Sequence, residues 1–354
     1  MSGSDNIIVD TTTRIFRDLC DPQTVNNAAD DAWKAPLWSA LEESGLTLTW
    51  VPDTLGGAGA EIADGFDVLR VAGGFAVPVP LAETLLAGWL LSRGDIAAPG
   101  GAMTVAPVRE GERIALNDDG TLSGRAGGVP FAGDAQHIAV LARRGEGAVI
   151  ALVDRADCAV AGGRSIADEA QDDVAFDGVT PVAVADAPGG FDEDSVFMMG
   201  AAVRSMQMAG ALQSVLDVAA QYSKDRTAFE RPIAKFQAVQ QNLAQLAGEA
   251  AAAVAAAGSA ADAIARSESF DEAVFVDVAS AKIRVGEAAG DGAAIGHQVH
   301  GAIGFTLEHI LHRYSRRLWS WRDDFGSEAV WAVRLGQLVA GKGADELWPI
   351  ITAG

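Results

Sequence analysis

Three short segments of this sequence carry side chains that could do chemistry. Arg226, Arg231 and Lys235 fall within one stretch of ten residues in an otherwise acidic chain. Pro232 breaks the helical period between them. An arginine at such a break can pair bidentately with phosphate oxygens, although the same residues also suit a solvated loop with ion pairs to its neighbours. In the second segment, Gln298-Val-His-Gly301-Ala302-Ile-Gly304-Phe305-Thr306, two glycines three apart end one helical pattern and precede another. Backbone N–H groups at such a junction can face a phosphate, and a plain helix C-cap followed by a turn would read the same way. The third segment sets Asp323 and Asp324 beside Trp319, Trp321 and Phe325. Apolar surroundings raise a carboxylate's pKa, as a general base near neutrality requires. Asp324 or Ser327 could equally serve as the N-cap of the helix that follows.

The histidines invite a metal reading and do not sustain it. His297/His300 and His309/His312 are each three apart, so each pair would share a helical face. A carboxylate-bridged di-iron bundle needs Glu-x-x-His repeats, which the sequence lacks. His309 directly follows Glu308, which points the two side chains apart. No metal is expected.

The elements that must position these residues change character twice along the 354 residues. Residues 1–100 read as helical. Ile15, Phe16 and Leu19 suit one face, Leu37 and Leu41 another, with Gly45 as a stop and a Pro-Gly-rich break from Val51 to Gly59. Pro78 and Pro80 introduce one more helix, which ends at Gly94. Residues 101–195 alternate short β-type runs with turn chemistry. Residues 138–142 and 148–153 flank Arg143-Arg144-Gly145-Glu146-Gly147 as a hairpin, and turns are expected at residues 117–120 and at Asp177-Gly178. Residues 196–354 return to the helical period. Phe236, Val239, Leu243 and Leu246 form one stripe, and residues 250–265 are mostly alanine, which suits closely packed helices. The expected class is therefore α+β: an N-terminal helical domain, a middle antiparallel β-domain and a C-terminal helical bundle.

Composition excludes several functions. With 26 Lys+Arg against 48 Asp+Glu the net charge is −22, a surface that repels nucleic-acid backbones and anionic membranes while leaving room for a local basic pocket. Two cysteines, Cys20 and Cys158, rule out a disulfide scaffold and a zinc site built mainly on cysteine. No uninterrupted apolar run reaches the roughly 18 residues of a spanning helix. The first residues lack a basic stretch followed by an apolar core, so no signal peptide is expected, and the cytoplasm is the default compartment.

Taken together, the three segments resemble the acyl-CoA dehydrogenase family. Its Arg-x-x-Phe-Gly-x-Pro-Ile…Phe-Gln segment reads here Arg226…Phe229-Glu230…Pro232-Ile233…Phe236-Gln237. Its Gln-x-x-Gly-Gly-x-Gly-Phe/Tyr segment reads Gln298…Gly301-Ala302…Gly304-Phe305. An arginine-rich stretch follows, with Arg313, Arg316 and Arg317, and the early Gly56-Gly57-Ala-Gly59 turn also matches. The resemblance spans nearly the whole chain in the right order. It implies a C-terminal four-helix bundle and FAD held across a subunit interface, in a homo- or hetero-oligomer (dimer or tetramer). Arg226 and Phe229 would contact the pyrophosphate and adenine side, with Gln237 nearby. Gln298, Gly301 and Gly304 would hold the FAD of a neighbouring subunit.

The implied reaction is α,β-dehydrogenation of an acyl-CoA thioester: a carboxylate removes the α-proton, and the β-hydrogen leaves as hydride to flavin N5. Re-oxidation would fall to an electron-transfer flavoprotein. Aligning the family's Glu-Gly-Thr-Ser-Gln loop on its serine puts Asp324 close to the base position, one methylene shorter than Glu. Asp323 is the neighbouring alternative, and Glu249 a more distant one. The departures are Glu230 and Ala302, each in place of a glycine, and Met103-Thr-Val-Ala-Pro107-Val108, which lacks the family's Gly-Ser. They imply an alternative: a non-catalytic or half-site partner subunit that completes another chain's FAD site. A flavin-free structural bundle is a third reading.

Overall fold

The computed structural model describes residues 7–267 and 269–352. The first six residues, on which part of the leader reading rests, lie outside them. Five helices open the chain: α1 (Ile7–Leu19), α2 (Pro22–Asn26), α3 (Lys34–Glu43), α4 (Ile62–Gly74) and α5 (Leu81–Ser92). Asp21 caps α2 by accepting from the backbone N–H groups of Gln23 and Thr24, and Gly45 follows α3 at φ +71°, the left-handed turn that glycine permits. Helix α5 is buried all round: LAETLLAGWLL contains a single charge, Glu83, and that residue is 5% exposed.

An eight-stranded sheet follows, built of β1 (Met103–Ala106), β2 (Ile114–Leu116), β3 (Leu122–Pro130), β4 (His137–Arg144), β5 (Gly147–Asp154), β6 (Ala159–Ala161), β7 (Gln171–Val179) and β8 (Ala183–Asp186). The strand order is β6-β7-β3-β2-β4-β5-β8, with β1 beside β4. The expected hairpin is β4–β5, paired from His137↔Asp154 to Arg144↔Gly147. The sheet is antiparallel except at two places, where β1 and β2 each run parallel to β4. Asp177-Gly178, expected as a turn, lies inside β7. Gly178, at φ +70°, is the extra residue where the β3–β7 register slips between Leu122↔Val179 and Ser123↔Asp177. Glycine there makes a bulge rather than a reversal.

The remaining elements are α6 (Glu193–Asp225), a two-stranded ribbon β9 (Thr227–Ala228) and β10 (Arg231–Pro232), α7 (Gln237–Arg266), α8 (Glu272–His300), α9 (Leu311–Asp323), α10 (Glu328–Lys342) and α11 (Leu347–Thr352). Helices α6, α7 and α8 pack on one another as the long members of the bundle. Their contact is close where Ala253, Ala257 and Ala260 are buried, because a methyl side chain lets backbones approach. One continuous apolar core joins the helices and the sheet.

Candidate functional site

The turn between α9 and α10 carries Asp324. Asp324 closes α9 at its C-terminus. Phe325 (φ +52°) and Gly326 (φ +87°) reverse the chain, and Ser327 takes the N-cap position of α10 without a side-chain cap bond. The turn is held at several points. Phe325 is 4% exposed and fills a notch at Gly200 of α6, where a Cβ would stand 2.3 Å from its ring. Its carbonyl accepts from Trp331 Nε1 at 2.8 Å. Lys282 of α8 donates from Nζ to the carbonyls of Trp321 and Arg322, both at 2.8 Å.

Both carboxylate oxygens of Asp324 are engaged. Oδ1 accepts from Gln171 Nε2 of β7 at 3.0 Å, and Oδ2 accepts from Arg204 Nε of α6 at 2.9 Å. Arg204 reaches on to Glu83 Oε1 of α5 at 2.7 Å and to Gln207 Oε1 at 2.7 Å. The side chains of Glu83, Arg204 and Asp324 are 5%, 4% and 8% exposed. One guanidinium thus ties the N-terminal helices, the bundle and the turn together, with Gln171 adding the sheet. Burial works against the charge on Arg204, but the carboxylates of Glu83 and Asp324 outweigh it and hold its pKa above the ordinary arginine value. Burial pushes the Glu83 carboxyl up. Beside this network lies a cleft of about 400 Å³, bordered by Pro130, Gln171, Phe197, Asp324, Phe325 and Val330. Proline lacks an N–H, so Pro130 brings no backbone donor to that wall.

The other expected residues gather at the opposite end of α9. Arg226 closes α6 with an exposed side chain. Phe229 and Glu230 form the tip of the β9–β10 ribbon at φ +51° and +65°, and Phe229 is 90% exposed. The family's glycine after this phenylalanine is thereby explained, since Glu230 occupies a left-handed conformation that glycine adopts without steric cost. Gln237 opens α7 and Gln298 lies on the last turn of α8, both exposed. Gly301 ends α8 at φ 67°, ψ −145°, a region essentially confined to glycine. No atom lies within 4 Å of the Cβ it lacks. Gly304 is buried beneath, close to His297 and His300. Ala302 keeps a negative φ, so glycine is not required there. Tyr222, one turn before Arg226, donates to His300 O at 3.3 Å and stacks on its ring at 4.4 Å, which brings the Arg226 and Gly301 segments to one end of the bundle.

This ledge fits a dinucleotide's phosphates. Among the described residues no carboxylate pairs with Arg226 or Arg231, an aromatic stands exposed beside them, and the Gly301 backbone is open. Asp324 is not brought to it. The thirteen residues of α9 make a helix about 20 Å long between the two. Asp323 is exposed, and Glu249 is paired with Arg284. His297 and His300 share a face of α8, whereas His309 lies in the turn before α9 and so does not share a helix with His312.

Sequence reasoning missed Glu83, Gln171, Arg204 and Lys282. Two of them carry a readable signal: each is the sole charge in a long apolar run, and such a charge is buried only with a partner.

A family model described as "Acyl-CoA dehydrogenase, C-terminal domain" matches residues 193–330. The chain is 28% identical over 294 residues to acyl-CoA dehydrogenase IpdE2 of Mycobacterium tuberculosis, covering 82% of this chain and 82% of that protein. It is 32% identical over 319 residues to acyl-CoA dehydrogenase FadE34 of the same organism, covering 87% of this chain and 42% of that longer protein. Among solved structures, the ChsE4-ChsE5 complex from Mycobacterium tuberculosis superposes with a TM-score of 0.84 at 23% identity, covering 97% of this chain and 99% of that one. This last likeness is one of fold.

Proposed function

We propose, from its likeness to acyl-CoA dehydrogenases over residues 193–330 and along most of the chain, that this protein works in the flavin-dependent α,β-dehydrogenation of an acyl-CoA thioester. The observation that carries the reading is the open Gly301 backbone at the end of the bundle that also carries Arg226, which among the described residues pairs with no carboxylate. Arg226 and Phe229 would hold the pyrophosphate and adenine side of FAD, with Gln237 beside them. Gln298, Gly301 and Gly304 would serve the cofactor of a neighbouring subunit. Bound FAD would supply the two-electron acceptor that takes the β-hydrogen as hydride.

Asp324 is the candidate proton acceptor. A carboxylate offers about four acceptor positions, and Gln171 and Arg204 occupy two. The others would take the α-proton from an acyl group lying in the cleft, as the C–H electron pair moves into the new Cα=Cβ bond. The ledge and Asp324 stand at opposite ends of α9, which supports a site shared between subunits of a homo- or hetero-oligomer. An electron-transfer flavoprotein as re-oxidant and a cytoplasmic setting complete the proposal. Among the described residues no helix is long and apolar enough to cross a membrane.

A second reading, favoured by the engagement of both Asp324 oxygens, makes the chain a half-site partner in a mixed complex. The visible spectrum of the purified chain separates the two. Oxidised-flavin bands at about one flavin per chain, bleached anaerobically by an acyl-CoA, support a self-sufficient dehydrogenase. A protein that stays colourless with added FAD and gains flavin only with a second chain supports the partner reading.

A further inference from the structure

Lys282 is fully buried in the middle of α8, at 0% exposure. Its Nζ meets two acceptors, the carbonyls of Trp321 and Arg322. These belong to the last turn of α9, whose carbonyls have no partner within the helix. A neutral amine has two N–H groups and a lone pair, so two carbonyls satisfy it. An ammonium has three N–H groups, and among the described residues the third finds no acceptor. The charged groups facing Lys282 are Asp323 at the end of α9, Asp324 on the turn, Glu328 on α10 and Arg204 on α6. Asp324 and Glu328 are already committed, to Arg204 and Arg322 respectively.

We propose that Lys282 is a positioning residue for the Asp324 turn: it works as a neutral amine that holds the terminal carbonyls of α9, and proton uptake at this amine loosens the turn. Burial is the main force that keeps the amine neutral, and it brings the titration down to about 7. A new N–H without an acceptor then appears in a closed space, and the cheapest relief is for the ammonium to draw on the Asp324 or Glu328 carboxylate at the expense of a carbonyl bond. The turn that carries Asp324 is thereby coupled to pH near neutrality through a residue that touches no reacting atom.

The bearing on catalysis rests on the proposed reading that this turn borders the acyl group; the titration itself does not. The test uses the full chain with labelled lysine. The Lys282 amine is followed by NMR from pH 6 to 11, and hydrogen exchange is measured at the Trp331 indole N–H, which bonds the Phe325 carbonyl within the turn. The expected result is a Lys282 midpoint near neutrality and, corrected for intrinsic exchange, a loss of Trp331 protection of about tenfold below that midpoint, the effect of one pK unit of coupling. K282Q, which keeps two N–H donors, is expected to retain protection and lose the pH step; K282M is expected to lose both. A Lys282 midpoint above pH 10, protection flat through the midpoint, or a step that survives in K282Q overturns the proposal. Should K282M not fold, the wild-type titration and K282Q decide. Failure of the acyl-CoA reading leaves the Lys282 midpoint where it is, so the two outcomes are distinguishable.

Discussion

Arg204 Nε lies 2.9 Å from Asp324 Oδ2 although 120 residues separate them in the chain. The same guanidinium bonds Glu83, 121 residues away in the other direction. A cation shared by two carboxylates in a closed interior is stable only as a set, because taking any member out of water is expensive and the pairing repays it.

Removing the cation is therefore the harshest single change. R204M leaves the buried Glu83 and Asp324 carboxylates without their shared cation and is expected to cost about 3–5 kcal/mol. The triple change E83Q/R204M/D324N leaves no uncompensated charge and is expected to recover most of that loss. Urea unfolding of the two variants checks the difference. A single R204M variant as stable as wild type would show that the triad carries no strength.

Asp324→Asn separates the two functional readings. If Asp324 takes the α-proton, the asparagine variant keeps its flavin spectrum but is bleached by acyl-CoA at least about a hundredfold more slowly, the scale of general-base catalysis. If the chain is a half-site partner, D324N in the assembled complex leaves the bleaching rate within a factor of about two, and its effect appears in thermal stability because Arg204 loses one of its two anionic partners. Anaerobic stopped-flow absorbance and a melting curve on the same sample give both readouts.

Much of this arrangement is legible in the sequence, and its illegible part has a physical cause. The helix–sheet–helix order, the β4–β5 hairpin and the alanine-lined bundle follow from local periodicity and turn chemistry, which act over a few residues. The ledge residues come from the family resemblance that the motifs carry jointly, since each motif alone also reads as a plain loop or helix cap. Arg204 and Glu83 advertise burial by standing alone in apolar runs, but nothing local says that they meet each other or that Asp324 joins them. Lys282 is less visible still, because Arg284, Glu287 and Asp291 follow it within α8 and mask it as one more surface charge. Register between helices decides which charge faces inward, and register is a property of the packed bundle.

Two backbone positions of the ledge, the departure at Glu230 and the retained Gly301, predict opposite signs. Glu230 sits at φ +65°, where a non-glycine residue costs about 1–2 kcal/mol and glycine's extra chain entropy about 0.5–1 kcal/mol. E230G is therefore expected to stabilise the chain by a few tenths to about 1 kcal/mol. Gly301→Ala meets open space but an excluded conformation, so it is expected to cost about 1–3 kcal/mol of strain or to shift the ledge. In the second case flavin retention falls while the melting temperature holds. Paired melting curves and flavin-to-protein ratios distinguish these results.

Lys282 also sets how stability responds to alkali. Its amine titrates at about 7 in the folded chain, against an ordinary lysine value of 10.5. Between those values the unfolded chain holds a proton that the folded chain lacks, so unfolding takes up a proton and stability rises with pH. The slope approaches about 1.4 kcal/mol per pH unit, and Lys282 contributes none below 7 or above 10.5. Two buried thiols act the other way. Burial raises Cys20 and Cys158 from 9.0 to about 11, so from near pH 9 the unfolded chain loses protons that the folded chain keeps, and stability falls. The clean window is thus pH 7.5 to 8.5. Wild type is expected to gain stability across it in urea titrations, and K282M is expected to be flat. Equal slopes in the two proteins would mean that Lys282 keeps its proton when buried and would overturn its reading as a neutral amine.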